Sequence, residues 1–553
     1  MLENKHECNL PSQEHGDYNL GELGIPCMLT NDDEALKLAT VEATKRINRS
    51  WARFMLVLRH TVQRDRRVFF INGKRITACI NWLRDHIHEM KGYKHWEYDL
   101  KSYVDFMLEQ QHERGFFYEI TAAHDNVHVS SQMGSEDFLK KLEGTGLGLS
   151  RIELENDIEY LMVEACVNIY KATGDDEWIK KALPKLEKGI DFVTSDKDRF
   201  DKEHGLIKRV FTIDTWDFDP VRGGKDRKIY PDSRMSIMHG DNTGAICAMN
   251  SLSWLNRKFG NEEKANEWER RAKELKENLD KYCWNGDFYI HQLHLNHNGL
   301  DNLEEKRLSL SNAYALNRGV FTQEQGEKVI EEYLRRKDIT DCFSEWFSIN
   351  PPYEKFGNCE KNYYINGGIA SFVAGELAKG AFEHGFEEYG WDILNRLRDL
   401  VIRDMGIHFL YDPQTGENQA GGPCGWSAAA IIDSIDRGLA GIKDADTKYR
   451  VLDFSPRWAV TGISEIRYNT GYEISDCFVE TLFRMDDESM VLELTAPSEI
   501  VNCHIYMPKG KKASKILVNS KEVEFKNTKV RNSDYADFSF ENNGERKIIH
   551  ITF

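Results

Sequence analysis

The chain has 553 residues and a mass of 64.1 kDa, too long for one ordinary domain, and with 40 glycines and 12 prolines it is too even for a string of linkers. Its 73 basic residues against 91 acidic ones leave a net charge of -18, which argues against nucleic acid as a partner because phosphate tracking needs a basic footprint. Eleven cysteines, scattered singly from Cys8 to Cys503 with no CxxC pair, match neither a disulfide framework nor a zinc ribbon; reduced thiols in a cytoplasmic chain fit them best.

The first twenty residues, MLENKHECNLPSQEHGDYNL, lack the apolar core of a signal peptide, and the aliphatic run 54–58 is too short to span a bilayer, so no membrane association is expected. Residues 1–35 read as an N-terminal extension. From 36 to 444 the pattern is helical and paired, with apolar stretches at 51–58 and 103–108 supplying early helices. Leu154, Ile158, Leu161, Met162, Ala165 and Ile169 recur at three- and four-residue steps. After the ATGDD break Trp178, Leu183, Leu186, Ile190 and Val193 do the same, which makes a helical hairpin. The stretch 243–255 is nearly uncharged and rich in small residues, a buried helix. Its partner presents Ala265, Trp268, Ala272, Leu275, Leu279 and Tyr282 on one face and charge on the other. The pairing returns as 367–378 followed by the amphipathic 393–401, and 427–435 is another buried helix. Alternation of buried and half-wet helices predicts a toroid of helical hairpins with an inner and an outer layer. From 445 to 553 the segments 449–454, 464–468, 478–483, 490–495, 501–507, 515–518 and 547–553 predict a C-terminal antiparallel β-domain.

Two loops carry the elements of a chemistry. In 211–222, FTIDTWDFDPVR, three carboxylates (Asp214, Asp217, Asp219) surround the rings of Trp216 and Phe218. A carboxylic acid between aromatic rings has its charged form desolvated and its pKa raised, the condition for a general acid at neutral pH, although acidic loop residues beside core aromatics give the same pattern. In 411–430, YDPQTGENQAGGPCGWSAAA, a glycine-rich loop holding Glu417 feeds into a buried small-residue helix. Loops from separate hairpins of a toroid reach one pocket. Paired carboxylates from separate loops are what glycoside hydrolysis requires, about 6.5–9.5 Å apart where water must fit between base and sugar.

These loops resemble those of known glycosidases. The Asp-Thr-Trp-Asp-Phe of 214–218 is similar to the Glu-Ser-Gly-Trp-Asp-Phe loop of trehalases (glycoside hydrolase family 37), which implies Asp217 as general acid. Gly416-Glu417, followed nine residues later by Trp426 with Gly425 before it, resembles the trehalase Gly-Glu-Tyr loop; Tyr-Asp-Pro-x-Thr-Gly-Glu and Trp-Ser-Ala-Ala resemble the processing α-glucosidase and mannosylglycerate hydrolase group (family 63) more closely still. The resemblance implies Glu417 as general base, an (α/α)6 six-hairpin barrel, an inverting mechanism and no metal or organic cofactor. Trp82-Leu-Arg84-Asp85 resembles the Trp-x-Arg-Asp element that holds the first sugar in such enzymes. His239-Gly240-Asp241-Asn242 sits where they carry Asp-Leu-Asn, although an Asp before a helix equally suits a cap, and Asn366-Gly367-Gly368 opens an inner helix in several relatives. Arg222, Asp241, Asn242 and Asn366 join Arg84 and Asp85 as sugar-holding candidates, with Trp82, Trp216, Trp346 and Trp426 as stacking or lining ones; core packing accounts equally for Trp346, Tyr363 and Tyr364. Ser455-Pro-Arg-Trp458 resembles the start of the C-terminal sheet in rhamnosidase-like and phosphorylase-like relatives.

Departures from trehalase, above all Asp219-Pro220 in place of a serine pair, leave the sugar and linkage open, as is the oligomeric state, homo-oligomers included. A phosphorylase on the same ring would need a cationic phosphate pocket in place of the base, which Glu417 disfavours. A non-catalytic carbohydrate-binding protein would lack the carboxylate pair, and an epimerase would rely on paired histidines. His291, His294 and His297 lie on a segment that reads as extended, where three-residue steps point to opposite faces and disfavour a metal site. Gly144-Thr-Gly-Leu-Gly148 lacks the context of a dinucleotide fingerprint and reads as a flexible loop.

Overall fold

The computed structural model describes residues 25–30, 51–214, 220 and 227–553. The chain is mainly helical to about residue 440 and sheet-rich beyond it. Among the described residues twelve helices follow in order: α1 (Trp51–Arg64), α2 (Leu83–Tyr93), α3 (Ser102–Glu109), α4 (Asp157–Thr173), α5 (Asp176–Ser195), α6 (His239–Lys258), α7 (Glu262–Cys283), α8 (Ser311–Ala315), α9 (Gln323–Ile339), α10 (Ser371–Glu383), α11 (Glu387–Asp404) and α12 (Gly425–Asp433). The even-numbered helices touch one another in succession, α2 to α4, α6, α8, α10 and α12, and α12 returns to α2. Odd-numbered helices lie against them.

Local sequence explains both layers. In α10 every residue from Ser371 to Phe382 is buried, and in α12 every residue is, whereas α7 buries only Ala265, Trp268, Ala272, Leu275, Leu279 and Cys283, one face at a period of three or four. Small residues let the even helices approach. A Cβ on Gly244 of α6 would lie 2.5 Å from the Tyr160 ring of α4, and one on Gly375 of α10 would lie 2.7 Å from the Ala430 backbone of α12. Termini are set by side chains: Asp175 accepts from the Trp178 amide to start α5, and Thr322 with Gln325 forms a capping box at α9.

Several expectations shift. The helix expected from Leu154 starts at Asp157, and Leu154 packs instead with Ile120, Ile152 and Val210. The helix expected from Gly367 starts at Ser371, because Ile369–Ala370 first pairs as a strand with His408–Tyr411. Gly144-Thr-Gly-Leu-Gly148 is not a loose loop: Leu139–Leu142 and Leu147–Ser150 pair antiparallel across a turn in which Gly144 and Gly146 take φ of 72° and 70°.

Beyond α12 a π turn, Ser434–Leu439, leads into two sheets. One has five strands in the order Ile442–Asp444, Val451–Phe454, Ile500–Tyr506, Ser533–Glu541, Lys526–Val530. The expected all-antiparallel arrangement is broken once, where Val451–Phe454 runs parallel to Ile500–Tyr506. The seven-stranded sheet takes its edge strand, Cys27–Thr30, from the segment expected to be a mere extension, paired antiparallel with Glu465–Tyr472. No helix among the described residues is long and apolar enough to cross a membrane, and the ten described cysteines carry free thiols.

Candidate active site

The N-terminal ends of α2, α4 and α6 meet. There the Arg84 guanidinium, at the start of α2, donates from Nε to Asp157 Oδ2 at 2.5 Å and from Nη2 to Asp157 Oδ1 at 3.0 Å. It also pairs with Glu155, and its Nη1 lies 3.3 Å from Glu119 Oε1. Burial drives the Glu119 carboxyl well above the usual carboxylate range, against the pull of Arg84. Next to Arg84, burial pushes Asp85 up to about 6, again opposed by Arg84.

Asp241 sits 3.4 Å from Arg209 Nη1 and accepts from Asn156 Nδ2 at 3.1 Å. Its burial pushes it up to about 6 despite Arg209. The capping alternative for Asp241 fails, because α6 begins two residues earlier at His239 and Met238 occupies the cap. Trp82 is half-buried and meets His128 edge-on at 5.3 Å. Arg84 with Glu119, Glu155 and Asp157 thus forms one buried ion cluster, and Asp241 with Arg209 adjoins it through Asn156, so that carboxyl groups outnumber guanidinium groups, chemistry that suits vicinal hydroxyls.

Other candidates have different employment. Asn242 Nδ2 donates to Ile207 O and Met238 O at 3.0 and 2.9 Å while its Oδ1 accepts from the Ile207 amide at 2.9 Å, so its amide is consumed in joining α6 to the strand before it. Asn366 is consumed likewise, donating to Tyr353 O and accepting from the Tyr353 amide. Trp346 is 1% exposed with the Arg396 guanidinium 4.7 Å over its ring, which leaves no face for a sugar. Trp426 is 5% exposed, stacked on His88 at 4.0 Å, with Phe372 at 4.9 Å and its indole donating to Tyr314 Oη at 2.8 Å. Its ring joins α12 to α2, α8 and α10 rather than presenting a platform.

Glu417 is exposed, at the turn between strands His408–Tyr411 and Asn418–Pro423. Asp412 holds this turn by accepting from the Gln414 and Thr415 amides, each at 2.9 Å, and Arg403 donates to Gly416 O at 2.9 Å. Asp217, Trp216 and Arg222 lie outside the described residues. Before them the chain is fixed by Asp214, which accepts from Ser309 Oγ at 2.9 Å and the Ser311 amide at 3.1 Å. Burial would raise its carboxyl, but His239, His291 and the serines hold it below the usual range. The histidines depart from expectation: Ser236 Oγ lies 3.0 Å from His294 Nδ1 and 2.9 Å from His297 Nε2, so both rings are on one side because the strand ends at His294. No group of three or more possible ligands among the described residues is arranged to hold a metal.

Sequence reasoning missed Glu119, Glu155, Asp157 and Arg209. The signal for two of them was the run RIELEND at 151–157, with acidic residues at alternate positions just ahead of an apolar helix.

The model of the mannosylglycerate hydrolase MGH1-like glycoside hydrolase domain family matches residues 80–427. The chain belongs to this family. The matched span of the MGH1-like domain starts just ahead of Trp82 and ends just past Trp426, and so encloses Arg84, Asp241 and Glu417. Among solved structures the chain is similar to the α-L-rhamnosidase of Dictyoglumus thermophilum, with a TM-score of 0.57 and 10% identity over 86% of this chain and 46% of that one. It is similar to Streptomyces avermitilis α-L-rhamnosidase complexed with L-rhamnose, with a TM-score of 0.57 and 10% identity over 90% of this chain and 41% of that one. A mannosylglycerate hydrolase from Thermus thermophilus in complex with glucose gives a TM-score of 0.48 at 17% identity over 68% of this chain and 98% of that one. The chain spans less than half the length of the rhamnosidases, and at such identity the likeness is one of fold alone. No curated protein matches it significantly in sequence.

Proposed function

We propose that this MGH1-like protein is an inverting glycoside hydrolase on an (α/α)6 barrel, with Asp217 protonating the leaving-group oxygen and Glu417 activating water on the opposite face of the sugar. The observation that carries the reading is the family match over 80–427, which takes in Arg84 at the start of α2 together with Asp217 and Glu417. The closed succession of contacts among the even-numbered helices supports the barrel, with residues 36–444 as the catalytic unit and the sheets after it as a second unit. Arg84, Asp85 and Asp241 hold sugar hydroxyls, Arg222 and Trp216 complete the pocket, and the reaction needs no cofactor.

The family name brings mannosylglycerate into the substrate screen, alongside α-glucosides, α-mannosides, α-rhamnosides and β-linked oligosaccharides. The test is hydrolysis of this panel with proton NMR of the first anomer released. Inversion at the anomeric carbon is expected; release of the retained anomer, or phosphate-dependent cleavage only, overturns the assignment of Asp217 and Glu417 as acid and base.

A further inference from the structure

A polar cavity lies at the end of the even-numbered helices opposite Arg84. It has a volume of about 240 Å³ and is lined by six cationic side chains against four carboxyl groups, with the sheet region supplying Asp444, Tyr449 and Tyr472. Its charged residues come from the late turns of the helices: Lys91 and Lys94 at the end of α2, Lys171 near the end of α4, and Arg437 in the π turn beyond α12. Asp157, which holds Arg84, is at the first turn of α4, fourteen residues or about 21 Å of helix from Lys171. The cavity is therefore separate from the ion cluster around Arg84.

Three of the cations are committed elsewhere. Lys91 Nζ donates to Glu376 at 2.5 Å, Lys379 Nζ donates to Asp433 at 2.6 Å, and Arg318 donates to Gly240 O at 3.0 Å and Thr243 Oγ1 at 2.9 Å. The other three have donors to spare. Lys171 donates to the backbone oxygen of Asp444 at 2.6 Å and has no carboxylate oxygen within 4 Å among the described residues. Lys94 Nζ is 3.4 Å from Asn168 Oδ1 and 3.7 Å from Asp433. The Arg437 guanidinium, 39% exposed, approaches Asp433 only to 3.7 Å and makes no hydrogen bond among the described residues. Burial lowers Lys171 to about 8, with repulsion from Arg437 and Lys94 adding to it against the pull of Asp444. Asp444, 8% exposed, keeps its Oδ2 without a hydrogen-bond partner.

We propose that this cavity binds a small phosphate ester of a polyol or sugar, with the phosphoryl group among Lys94, Lys171 and Arg437 and a hydroxyl donating to Asp444 Oδ2. Three convergent cations with unused donors match the charge and acceptor oxygens of a phosphoryl group better than a single carboxylate does. The volume lies below the roughly 300–1,000 Å³ of drug-sized sites, which excludes an oligosaccharide. Helices α2 and α4 each carry Arg84 or its partner Asp157 at one end and a phosphate-facing lysine near the other. The site does not depend on which glycoside is cleaved.

The test is calorimetric titration of the full chain with glucose 6-phosphate, glycerol 3-phosphate, inorganic phosphate and glucose, in wild type and in Lys171→Gln, Arg437→Gln and Glu417→Gln. Saturable binding of the esters is expected, at least tenfold weaker in Lys171→Gln and Arg437→Gln and unchanged in Glu417→Gln, with any glucose binding unaffected by Lys171→Gln and Arg437→Gln. Inorganic phosphate binding as tightly as the esters would remove the Asp444 hydroxyl contact and so overturn the ester assignment. In wild type, ligand should also shield Lys171 and Lys94 from acetylation, read by mass spectrometry. Absence of saturable binding by any phosphate, full affinity in folded Lys171→Gln and Arg437→Gln, or shielding at other lysines only would overturn the proposal.

Discussion

Arg84→Met tests whether the ion cluster at the candidate active site depends on the Arg84 charge. The wild-type guanidinium is 6% exposed and faces Glu119, Glu155 and Asp157, whose side chains are 0%, 1% and 12% exposed. Methionine keeps much of the volume but removes the Arg84 charge from among the three carboxyl groups. Breaking a buried pair from one side costs about 3–5 kcal/mol, since the abandoned charge stays desolvated. About 4 kcal/mol is roughly a thousandfold in the folding equilibrium and a large part of a typical total of about 5–15 kcal/mol. The sign with pH follows from the carboxyls. Burial already holds the Glu119 carboxyl above its unfolded value and loss of Arg84 raises it further, so the penalty is full at high pH and shrinks as pH falls through the raised value. Urea unfolding of wild type and variant at pH 8 and pH 5 measures this, with the stability gap expected to be several-fold smaller at pH 5. A gap that is absent at pH 8, or equal at both pH values, would refute the network.

Asp217→Asn and Glu417→Gln should each lower kcat by about 10²–10⁴ or more without changing the circular dichroism spectrum, and wild-type turnover in either removes that residue from the mechanism. For Asp241, pushed up to about 6 from 3.8, wild type should gain stability relative to Asp241→Asn as pH falls from 7 towards 4, on the order of 3 kcal/mol; a flat difference curve contradicts the burial argument. Gly425→Ala would place a Cβ 2.5 Å from Glu89 Oε1 and 2.8 Å from Asp65 Oδ2, and should cost about 1–3 kcal/mol in denaturant unfolding, with an unchanged midpoint showing that the start of α12 yields freely.

The sequence made the helical layers legible because their physics is local. In α6, α7, α10 and α12 the spacing of small and apolar residues states both the element and which faces are buried. Helix starts were legible less well: Leu154 is apolar for a reason outside α4, and Gly367 precedes a strand. The strands Lys526–Val530 and Ser533–Glu541 escaped reading because one is largely exposed and polar and the other carries Asp and Ser between its buried positions. At the candidate site, motif reasoning pointed to Arg84, Asp85 and Asp241, of which Arg84 and Asp241 sit in ion pairs. It assigned sugar contacts to Asn242, Asn366, Trp346 and Trp426, whose polar groups and rings serve the backbone and neighbouring helices. A motif identifies a residue type at a position; only the fold says which atoms are already occupied. Glu119 lay beyond reach because nothing near it in sequence announces the arginine thirty-five positions earlier.

The charge pattern of the paired helix ends has a simple competing explanation. Carboxylates at helix N-termini and cations at C-termini complement the helix dipole, and Asp85, Asp157 and Asp241 at one end with Lys91, Lys171 and Arg437 at the other fit that rule. Magnitudes decide against it as a full account. Dipole stabilisation is typically about 0.3–1 kcal/mol per charge, up to about 2 in partly buried settings. Raising Asp241 from 3.8 to about 6, or lowering Lys171 from 10.5 to about 8, corresponds to roughly 3 kcal/mol against the charged form, with partner attractions already included. Each group is thus kept at a net cost that asparagine or glutamine would avoid. Charges retained at such a cost are candidates for ligand contacts, Asp241 at the start of α6 and Lys171 near the end of α4.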